Sequence, residues 1–298
     1  MTRWAYFNGE WIDDRELAIP VGDTGFALGV TVTERLRTFD GKPFRQAEHI
    51  ARMRRSLEIV GMQADEIAGE LDAGIAMFLE KNASLFEPGD DWAVVAFATP
   101  GVGGVPTRCV HGFPLTFGGW AHQFAQGVPL YVSDHRQTPA NCWPPELKCR
   151  SRMHYYLADQ QAARREPGAR AVLIDQDGFV GEASTANIVA YRHGEGVVSP
   201  RMEKVLPGVS VAVTKSLCET LGVPFVERDL TLDELRMASE VWLSSTSICL
   251  LPATRLDGRP IGDGTVGPLY RKVLAAWNDH VGLDIAEQAV RQAMSREA

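Results

Sequence analysis

The sequence predicts an α+β (mixed α/β) protein with two domains. Its 298 residues exceed the size of one average domain, and 45% apolar residues suffice for two cores. Strand-like runs alternate with helical runs along most of the chain, and an uncharged stretch at 112–127 shows little periodicity. We therefore expect a small N-terminal α/β domain at residues 1–118, a connection at 119–127 and a larger C-terminal domain at 128–298.

The first domain is predicted to contain two helices and a buried strand. Residues 46–60 place apolar side chains at helical spacing and stop at Gly61. Residues 66–81 give a second helix, and residues 92–99 form an apolar run of strand length. This part of the chain therefore combines short strands with amphipathic helices.

The second domain alternates strands with helices. Thr231 and Glu234 form a capping box that opens a short helix, and residues 175–178 form a turn between two strands. The predicted strands are 129–133, 171–174, 186–191, 223–226 and 241–243, and the predicted helices are 151–165, 209–221 and 268–281.

Composition and charge exclude several classes of partner. Thirty Lys and Arg against 38 Asp and Glu give a net charge of −8 without clustering, so we expect no nucleic acid partner. The uncharged apolar runs are too short to span a bilayer and the N-terminus lacks an apolar signal core, so we expect no membrane association and a cytoplasmic location. The five cysteines form no C-x-x-C pair and have no histidine at ligand spacing, which predicts free thiols and no metal site.

Four short motifs contain the residues best suited to chemistry. Each has an ordinary explanation when taken alone: a surface lysine at Lys148, a turn carboxylate at Glu182, a helix start and a hydroxyl-rich strand end. Signatures of other enzymes are absent, among them the G-x-x-x-x-G-K-[ST] phosphate loop and the zinc-binding H-E-x-x-H helix. The helix start is Leu206-Pro207-Gly208-Val209-Ser210, and the strand end is Ser244-Ser245-Thr246-Ser247.

In this order the motifs resemble those of the class IV aminotransferases. These pyridoxal 5′-phosphate (PLP) enzymes include branched-chain aminotransferase, D-amino-acid aminotransferase and aminodeoxychorismate lyase. The 34 residues from Lys148 to Glu182 and the 24 from Glu182 to Leu206 match the branched-chain pattern. Further matches lie at Asp23-x-Gly25, Glu34-x-x-Arg37, His49-x-x-Arg52 and Asp257-Gly258-Arg259-x-Ile261-Gly262.

The resemblance covers nearly the whole chain. It implies the D-amino-acid-aminotransferase-like fold, with a small N-terminal α/β domain and a larger, barrel-like C-terminal domain that binds PLP.

The resemblance assigns the catalytic role to Lys148, which would form a Schiff base with PLP and move a proton during the transfer. Such a lysine has to be unprotonated near neutral pH, which burial and a neighbouring cation promote. Glu182 would pair with the ring nitrogen, because the ring withdraws electrons only while that nitrogen is protonated. Asn187 is either a neighbour of Glu182 in the site or a turn residue.

The 5′-phosphate of such a cofactor is held well by backbone amides at a helix start together with one guanidinium. The resemblance gives this task to Arg52, Gly208, Val209, Ser210, Thr246 and Ser247.

Arg52 also has an alternative interpretation. Arg54 and Arg55 follow it closely, and a run of arginines on a helix is commonly a solvated basic face. Arg52 lies one turn after His49 and beside the apolar Met53, which favours the phosphate over that alternative.

The candidate substrate residues depart from those of the branched-chain enzymes. Thr33 stands where those enzymes carry an aromatic residue and Met153 where they carry a tyrosine, so we expect weak activity with leucine and valine. Arg108 and His111 resemble the Arg-x-His pair of the D-amino-acid enzymes, with one more residue between them. This pair and the Thr246-Ser247 amides are candidates to bind the substrate carboxylate. The alternatives are a surface ion pair of Arg108 and a histidine that bonds only to backbone.

The resemblance therefore implies a homodimeric PLP-dependent aminotransferase of amino-acid metabolism. It would move an amino group from an amino acid or amine to a 2-oxo acid through pyridoxamine phosphate. A lyase resembling aminodeoxychorismate lyase is the alternative. A non-catalytic binding subunit is disfavoured, because the lysine, the glutamate and the phosphate ligands occur together.

Overall fold

The computed structural model describes residues 1–297 of the chain. Its contacts divide the chain into two compact units. Unit 1 comprises Met1–Thr116 and Leu147–Ser151, and unit 2 comprises Phe117–Glu146 and the residues from Arg152 onward. The predicted connection at 119–127 belongs to unit 2, and the segment around Lys148 groups with unit 1. The domain bounds given by the sequence remain a prediction.

Unit 1 is a six-stranded antiparallel sheet with helices packed on it, in the strand order β2-β1-β6-β5-β3-β4. The helices predicted at 46–60 and 66–81 and the strand at 92–99 are confirmed. The strands are β1 (Trp4–Phe7), β2 (Glu10–Asp13), β3 (Val32–Phe39), β4 (Lys42–Pro43), β5 (Trp92–Val102) and β6 (Val105–Pro114). The helices are α1 (Thr24–Ala27), α2 (Gln46–Ile59) and α3 (Ala64–Lys81), with 3₁₀ turns at Asp14–Glu16 and Ala83–Leu85.

The two faces of this sheet carry different side chains, because successive residues of a strand alternate between faces. Leu36, Val94 and Val110 belong to the apolar core that the sheet shares with α2 and α3. We call this side the helix-covered face. Thr33 and Phe97 are register partners on the other side, which we call the opposite face.

Unit 2 is built on a nine-stranded sheet in the order β12-β11-β10-β13-β14-β7-β8-β9, with β15 paired to β14. Because β9 also pairs with β10, six of these strands close into a ring, which is the barrel-like domain that the resemblance implied. The strands are β7 (Val128–Val132), β8 (Arg170–Ile174), β9 (Val180–Ala183), β10 (Ala186–Arg192), β11 (Gly196–Ser199), β12 (Phe225–Glu227), β13 (Glu240–Ser245), β14 (Cys249–Leu256) and β15 (Arg259–Pro260). The helices are α4 (Gln123–Gln126), α5 (Met153–Arg165), α6 (Val209–Thr220), α7 (Leu232–Arg236), α8 (Pro268–Val281) and α9 (Ile285–Glu297), with a 3₁₀ turn at Phe117–Gly119.

Most predicted elements of unit 2 are confirmed. The structure adds β11 and β14, and it shortens the predicted strand at 223–226 to Phe225–Glu227. The capping box of Thr231 and Glu234 opens α7 as predicted.

Buried aromatic residues fix α6 and α8 in unit 2. Trp277 on α8 is fully buried, and its Nε1 donates to Oγ1 of Thr214 on α6 at 3.1 Å. The ring of Tyr270 on α8 lies 6.3 Å from that of Trp242 on β13. The first contact joins α8 to the middle of α6, and the second joins α8 to β13.

The described residues lack a bilayer-crossing helix and a cluster of metal-ligating side chains. None of the helices within residues 1–297 combines the length and the apolar character that crossing a bilayer demands. The same residues contain no group of three or more His, Cys, Asp or Glu side chains placed to hold a metal ion.

Candidate active site

Lys148 lies in a short extended segment that runs along the edge of β3. Val32 and Cys149 pair in antiparallel fashion, and the Thr33 N–H donates to the Lys148 carbonyl oxygen at 3.0 Å. The backbone N–H of Lys148 donates to Oγ of Ser56 on α2 at 3.1 Å. Both contacts use the main chain of Lys148 and position its backbone between β3 and α2.

Arg52 lies in a buried cluster with Glu34 of β3 and His49 of α2. Its Nε and Nη2 donate to the two carboxylate oxygens of Glu34 at 2.7 and 2.9 Å. Nδ1 of His49 lies 2.8 Å from Glu34 Oε2, so His49 carries its proton on Nδ1 and donates it. The carboxylate thereby joins the two α2 residues to β3.

The charges of this cluster are set by burial and by its ion pair. Burial by itself raises the pKa of Glu34, but the Arg52 charge and the hydrogen bonds from Arg52 and His49 outweigh it. The pKa of Glu34 therefore lies well below its ordinary value. Burial lowers the pKa of His49, and the attraction of Glu34 offsets this only in part. The cluster near neutral pH is an Arg52–Glu34 ion pair next to a neutral histidine.

The three arginines of α2 differ in their surroundings. The side chain of Arg52 is only 9% exposed, whereas Arg54 and Arg55 are 40% and 53% exposed and pair with acidic residues on the surface. Arg52 therefore does not belong to the solvated basic face that was the alternative. Its assignment as a phosphate ligand remains a prediction.

Glu182 on β9 is buried and accepts hydrogen bonds at both carboxylate oxygens. The Leu206 N–H donates to Oε1, and the Tyr155 hydroxyl donates to Oε2. Sequence reasoning missed the role of Tyr155, because nothing in the pattern distinguishes it from the neighbouring Tyr156. These two donors fix the carboxylate in one orientation.

Strand register places Asn187 beside Glu182. Glu182 pairs with Asn187 across β9 and β10, and Asn187 pairs with Ser244 across β10 and β13. Nδ2 of Asn187 donates to the Leu206 carbonyl oxygen at 2.8 Å, so both polar groups of the Leu206 backbone are held at this row. Asn187 therefore lies beside Glu182, and its part in a cofactor site stays a prediction.

The start of α6 follows directly from this row. Gly208 is the N-cap, and a Cβ at this position would lie 2.1 Å from Asn187 Oδ1, so only glycine allows the close approach. Among the described residues no side chain caps the helix. The first amides, at Val209 and Ser210, are thus of the kind that binds an anion.

The Thr246-Ser247 turn joins β13 to β14. It begins two residues after Ser244, the register partner of Asn187. The Ser244 Oγ donates to the Cys249 carbonyl oxygen at 3.0 Å and closes this turn. Unit 2 therefore gathers Glu182, Asn187, the α6 start and the hydroxyl-bearing turn at one end of its sheet.

The predicted substrate residues of unit 1 do not lie together. Arg108 pairs with Ala98 of the helix-covered core, and its Nη1 lies 2.7 Å from Oε2 of Glu70 on α3. Thr33 and His111 lie on the opposite face. The expectation of one carboxylate site from Arg108 and His111 is thus corrected, because three residues along a strand is an odd separation and reverses the face.

Arg108 adopts the ion pair that was its alternative interpretation. His111 instead lies between aromatic rings, 6.1 Å from Phe97 and 6.4 Å from Phe113 between ring centroids. Burial, followed by the charges of Arg150 and Arg3, lowers the pKa of His111 to about 4. His111 is therefore neutral over the physiological range.

Comparison with known proteins gives the family. The amino-transferase class IV family model matches residues 31–256 of the chain. The chain belongs to this family. A class IV aminotransferase transfers amino groups with PLP, so this chain is a PLP-dependent transaminase. Nothing in the comparisons supports the lyase alternative over it.

Relatives of this class IV aminotransferase resemble it from end to end. It is 28% identical over 290 residues to D-alanine aminotransferase of Staphylococcus aureus (strain MW2), covering 93% of this chain and 97% of that protein. It is also 28% identical to D-alanine aminotransferase of Bacillus licheniformis, covering 92% and 96%. The fold is that of the branched-chain aminotransferase of Thermoproteus uzoniensis, with a TM-score of 0.83, 22% identity and coverage of 95% and 96%.

The side chains of the aminotransferase suit PLP. Unit 2 offers an oriented carboxylate for a protonated ring nitrogen and a helix start without a side-chain cap for a phosphate. Unit 1 contains the Lys148 amine and the buried Arg52 guanidinium. The unit 2 donors taken by themselves therefore fit a protonated ring nitrogen and a phosphate, two groups that PLP carries.

Proposed function

We propose that this transaminase uses Lys148 as its catalytic base and Glu182 as the partner of the cofactor ring nitrogen. The observation that carries this proposal is the row of Glu182, Asn187 and the uncapped α6 start, which matches the needs of PLP in a class IV aminotransferase. When bound, PLP supplies an aldehyde that accepts the amino group and a ring that stabilises negative charge at the substrate Cα.

The chain's own residues then divide the work. Lys148 Nζ removes the proton from the donor Cα. The main-chain hydrogen bonds of Lys148 to Thr33 and Ser56 hold the backbone of this residue in place. A carboxylate offers about four acceptor positions. Glu182 therefore accepts the N–H of the cofactor ring as a third donor, in addition to Leu206 and Tyr155.

The phosphate and the carboxylate of the substrate need separate ligands. We assign the phosphate to the Val209 and Ser210 amides, Arg52 and the Thr246 hydroxyl, and the α-carboxylate to the Thr246-Ser247 amides. Arg108 is left out of this assignment, since it lies on the helix-covered face of the sheet, whereas Thr33 and His111 lie on the opposite face.

The donor is proposed to be an amino acid without a branched side chain. Thr33 is buried on β3 where the branched-chain pattern has an aromatic residue, and the two curated relatives described above are named D-alanine aminotransferases. A substrate pocket with a smaller and less aromatic wall favours a donor amino acid with a small side chain. D-alanine is therefore the first donor to test.

A donor panel tests this function directly. Purified protein with PLP is supplied with D- and L-alanine, leucine, valine and an amine, each with a common 2-oxo acid, and the new amino acid is quantified. We expect transfer, with D-alanine above L-leucine and L-valine. Leucine as the best donor would overturn the donor assignment, and no transfer from any donor would overturn the transaminase chemistry.

We also propose a homodimer in the cytoplasm. Val21, Phe26 and Leu28 are 70–81% exposed in the loop around α1, and such apolar exposure is typical of an interface. All five cysteines are free, which supports a reducing compartment. Sedimentation at twice the chain mass of 32.7 kDa is expected, and an active monomer would contradict the dimer.

A further inference from the structure

A two-residue turn closes the β9–β10 hairpin that carries Glu182. Ala183 pairs with Ala186 across the two strands, which leaves only Ser184 and Thr185 to reverse the chain. Thr185 has a φ of 62°, in the left-handed region that β-branched residues rarely adopt. Glycine, asparagine and aspartate are the residues that favour such turns, so this turn does not hold its conformation by local preference. Contacts from outside the hairpin have to stabilise it.

Asp159 on α5 supplies one of these contacts. Its Oδ1 accepts a hydrogen bond from the Ser184 hydroxyl at 2.6 Å and one from the Ala171 N–H of β8 at 3.3 Å. The Ser184 N–H in turn donates to the Ala171 carbonyl oxygen at 3.2 Å. Ser184 is only 3% exposed, so little water competes for its hydroxyl, and a charged acceptor binds that hydroxyl strongly. Asp159 therefore ties the turn to α5 and to β8.

The same face of α5 carries the hydroxyl that orients Glu182. Tyr155 precedes Asp159 by four residues, so the two side chains lie on one side of the helix, one turn apart. The Tyr155 hydroxyl donates to Glu182 Oε2, and Asp159 binds Ser184, two residues after Glu182. The helix therefore contacts the hairpin at two points, one at the predicted cofactor ligand and one at the strained turn.

The buried contact between α5 and β8 consists mainly of small side chains. Ala158 and Ala162 of the helix share an apolar cluster with Ala171 and Leu173 of the strand. Alanines form only shallow ridges, so they allow a close approach without fixing how far the helix slides along the sheet. The hydrogen bonds of Asp159 supply that constraint, because they weaken steeply when their geometry is lost.

Asp159 also has a cationic neighbour. Burial lowers the pKa of Arg170, the first residue of β8, and the Asp159 charge opposes this effect. A carboxylate that only balances a buried guanidinium acts through its charge, whereas a carboxylate that holds the turn acts through its acceptor oxygen. Asparagine keeps the oxygen and loses the charge, so this substitution separates the two roles.

We propose that Asp159 is a positioning residue of this transaminase. It holds the Ser184-Thr185 turn and α5 in one arrangement, so that Tyr155 and β9 present Glu182 to the ring nitrogen of the cofactor. The proposal rests on the proposed function, in which Glu182 keeps that nitrogen protonated. The effect of Asp159 on the chemistry is indirect, because it passes through Ser184 and Tyr155.

The first test follows the protonation of the ring nitrogen together with the rate. Wild type, Asp159→Ala, Asp159→Asn and Ser184→Ala are loaded with PLP that carries ¹⁵N in its ring, and the ¹⁵N chemical shift and the turnover per bound PLP are measured. In wild type we expect the shift of a protonated nitrogen. Asp159→Ala and Ser184→Ala are expected to move the shift toward the neutral value and to lower kcat about tenfold, with a smaller change in KM. Asp159→Asn is expected to stay close to wild type.

A double-mutant cycle shows whether Asp159 acts through Tyr155. The kcat of Asp159→Ala combined with Tyr155→Phe is compared with that of each single variant. The combined loss is expected to be smaller than the product of the two single losses, because the first change already displaces the contact that the second removes. Losses that multiply would place Asp159 outside this route and overturn the proposal.

Glu166→Ala is the matched comparison on the same helix. It removes another carboxylate, at the end of α5, where Glu166 binds Arg255 of β14. Its ¹⁵N shift and kcat are expected to equal those of wild type. Thermal unfolding of each variant separates lost stability from altered chemistry. Ser184→Ala, which removes a single hydroxyl, tests the same bond if Asp159→Ala does not fold.

The outcomes separate this proposal from the proposed function. An unchanged ¹⁵N shift and kcat in both Asp159→Ala and Ser184→Ala, with only the unfolding temperature lowered, overturns the positioning role and leaves the Glu182 assignment intact. Equal losses in Asp159→Asn and Asp159→Ala assign the carboxylate to the charge of Arg170 and also overturn the positioning role. A neutral ring nitrogen in wild type overturns the Glu182 assignment and this proposal together.

Discussion

The two units hold their candidate site residues by different means. In unit 1 the contacts join distant parts of the chain: the Lys148 N–H reaches Ser56, 92 residues earlier, and Glu34 joins β3 to Arg52 and His49 of α2. In unit 2 the register of neighbouring strands places Glu182 beside Asn187, which follows it by five residues. Unit 1 therefore positions its site residues through buried charges and contacts between distant parts of the chain. Unit 2 positions its site residues through the register of neighbouring strands. Removing the Glu34 charge is therefore expected to disturb the stability of unit 1, and removing the Glu182 charge is expected to disturb the chemistry of unit 2.

The largest effect is expected for Lys148→Ala, which removes the amine of unit 1. Transamination should be abolished, and borohydride should no longer attach the cofactor to the protein. The fold should persist, because Lys148 contacts Thr33 and Ser56 only through main-chain atoms in the hydrogen bonds described above. Thermal unfolding close to that of wild type is the control, and cofactor still fixed by borohydride would contradict the assignment.

Glu182→Gln is the corresponding change in unit 2 and should act on rate. The neutral amide does not stabilise a protonated ring nitrogen, so we expect turnover to fall about 100-fold or more with the cofactor retained. Cofactor content and turnover are measured on the same sample. Tyr155→Phe, which removes only one donor to Glu182, is the control and should lose less. Wild-type turnover in Glu182→Gln would refute its role.

Glu34→Gln is expected to act mainly on stability. It leaves the buried Arg52 without its carboxylate, which costs about 3–5 kcal/mol of unfolding free energy in such sites. Urea unfolding at pH 7 measures the loss. Glu58→Gln breaks an ion pair between half-exposed side chains with Arg55 and should lose less than about 1 kcal/mol. Equal losses of unfolding free energy in the two variants would show that the buried cluster stabilises the fold no more than a surface ion pair does.

The same cluster predicts a pH dependence. The pKa of Glu34 is depressed in the folded protein, so its stabilisation is complete above the ordinary value of 4.5. It is lost as the pH falls from there toward the depressed pKa, because the unfolded chain takes up the proton first. Wild type should therefore lose stability in this acidic range more steeply than Glu34→Gln. Parallel curves for the two proteins would contradict the depressed pKa.

The smallest effect concerns His111, on the opposite face of the unit 1 sheet. Titration by NMR should give a pKa of about 4, and Arg150→Gln should raise it because a like charge is removed. The value should stay below the ordinary 6.5, since burial is the larger cause. Arg108→Gln, on the other face, should leave it unchanged. An unchanged pKa in Arg150→Gln would show that the Arg150 charge does not act on His111.

Sequence reasoning found the elements whose signals are local. The helix at 46–60 follows from apolar spacing along one helix, and the α7 start from the Thr231 and Glu234 capping box. The sequence pattern did not identify strand β6, which contains Arg108 and His111. In β6 the two residues take opposite faces, and Glu70 from α3 binds Arg108. Tyr155 was missed because its partner Glu182 lies 27 residues further along the chain.

The sequence by itself determined the family-like order of Lys148, Glu182, the α6 start and the Thr246-Ser247 turn, together with most helices. These features depend on spacing, caps and periodicity, which are properties of short segments. Only the tertiary structure decided that the Lys148 segment pairs with β3, that Glu34 binds Arg52, and that Arg108 and His111 lie on opposite faces of one sheet. The reason is register: partners in a sheet come from distant parts of the chain, and a shift of one residue moves every side chain to the other face.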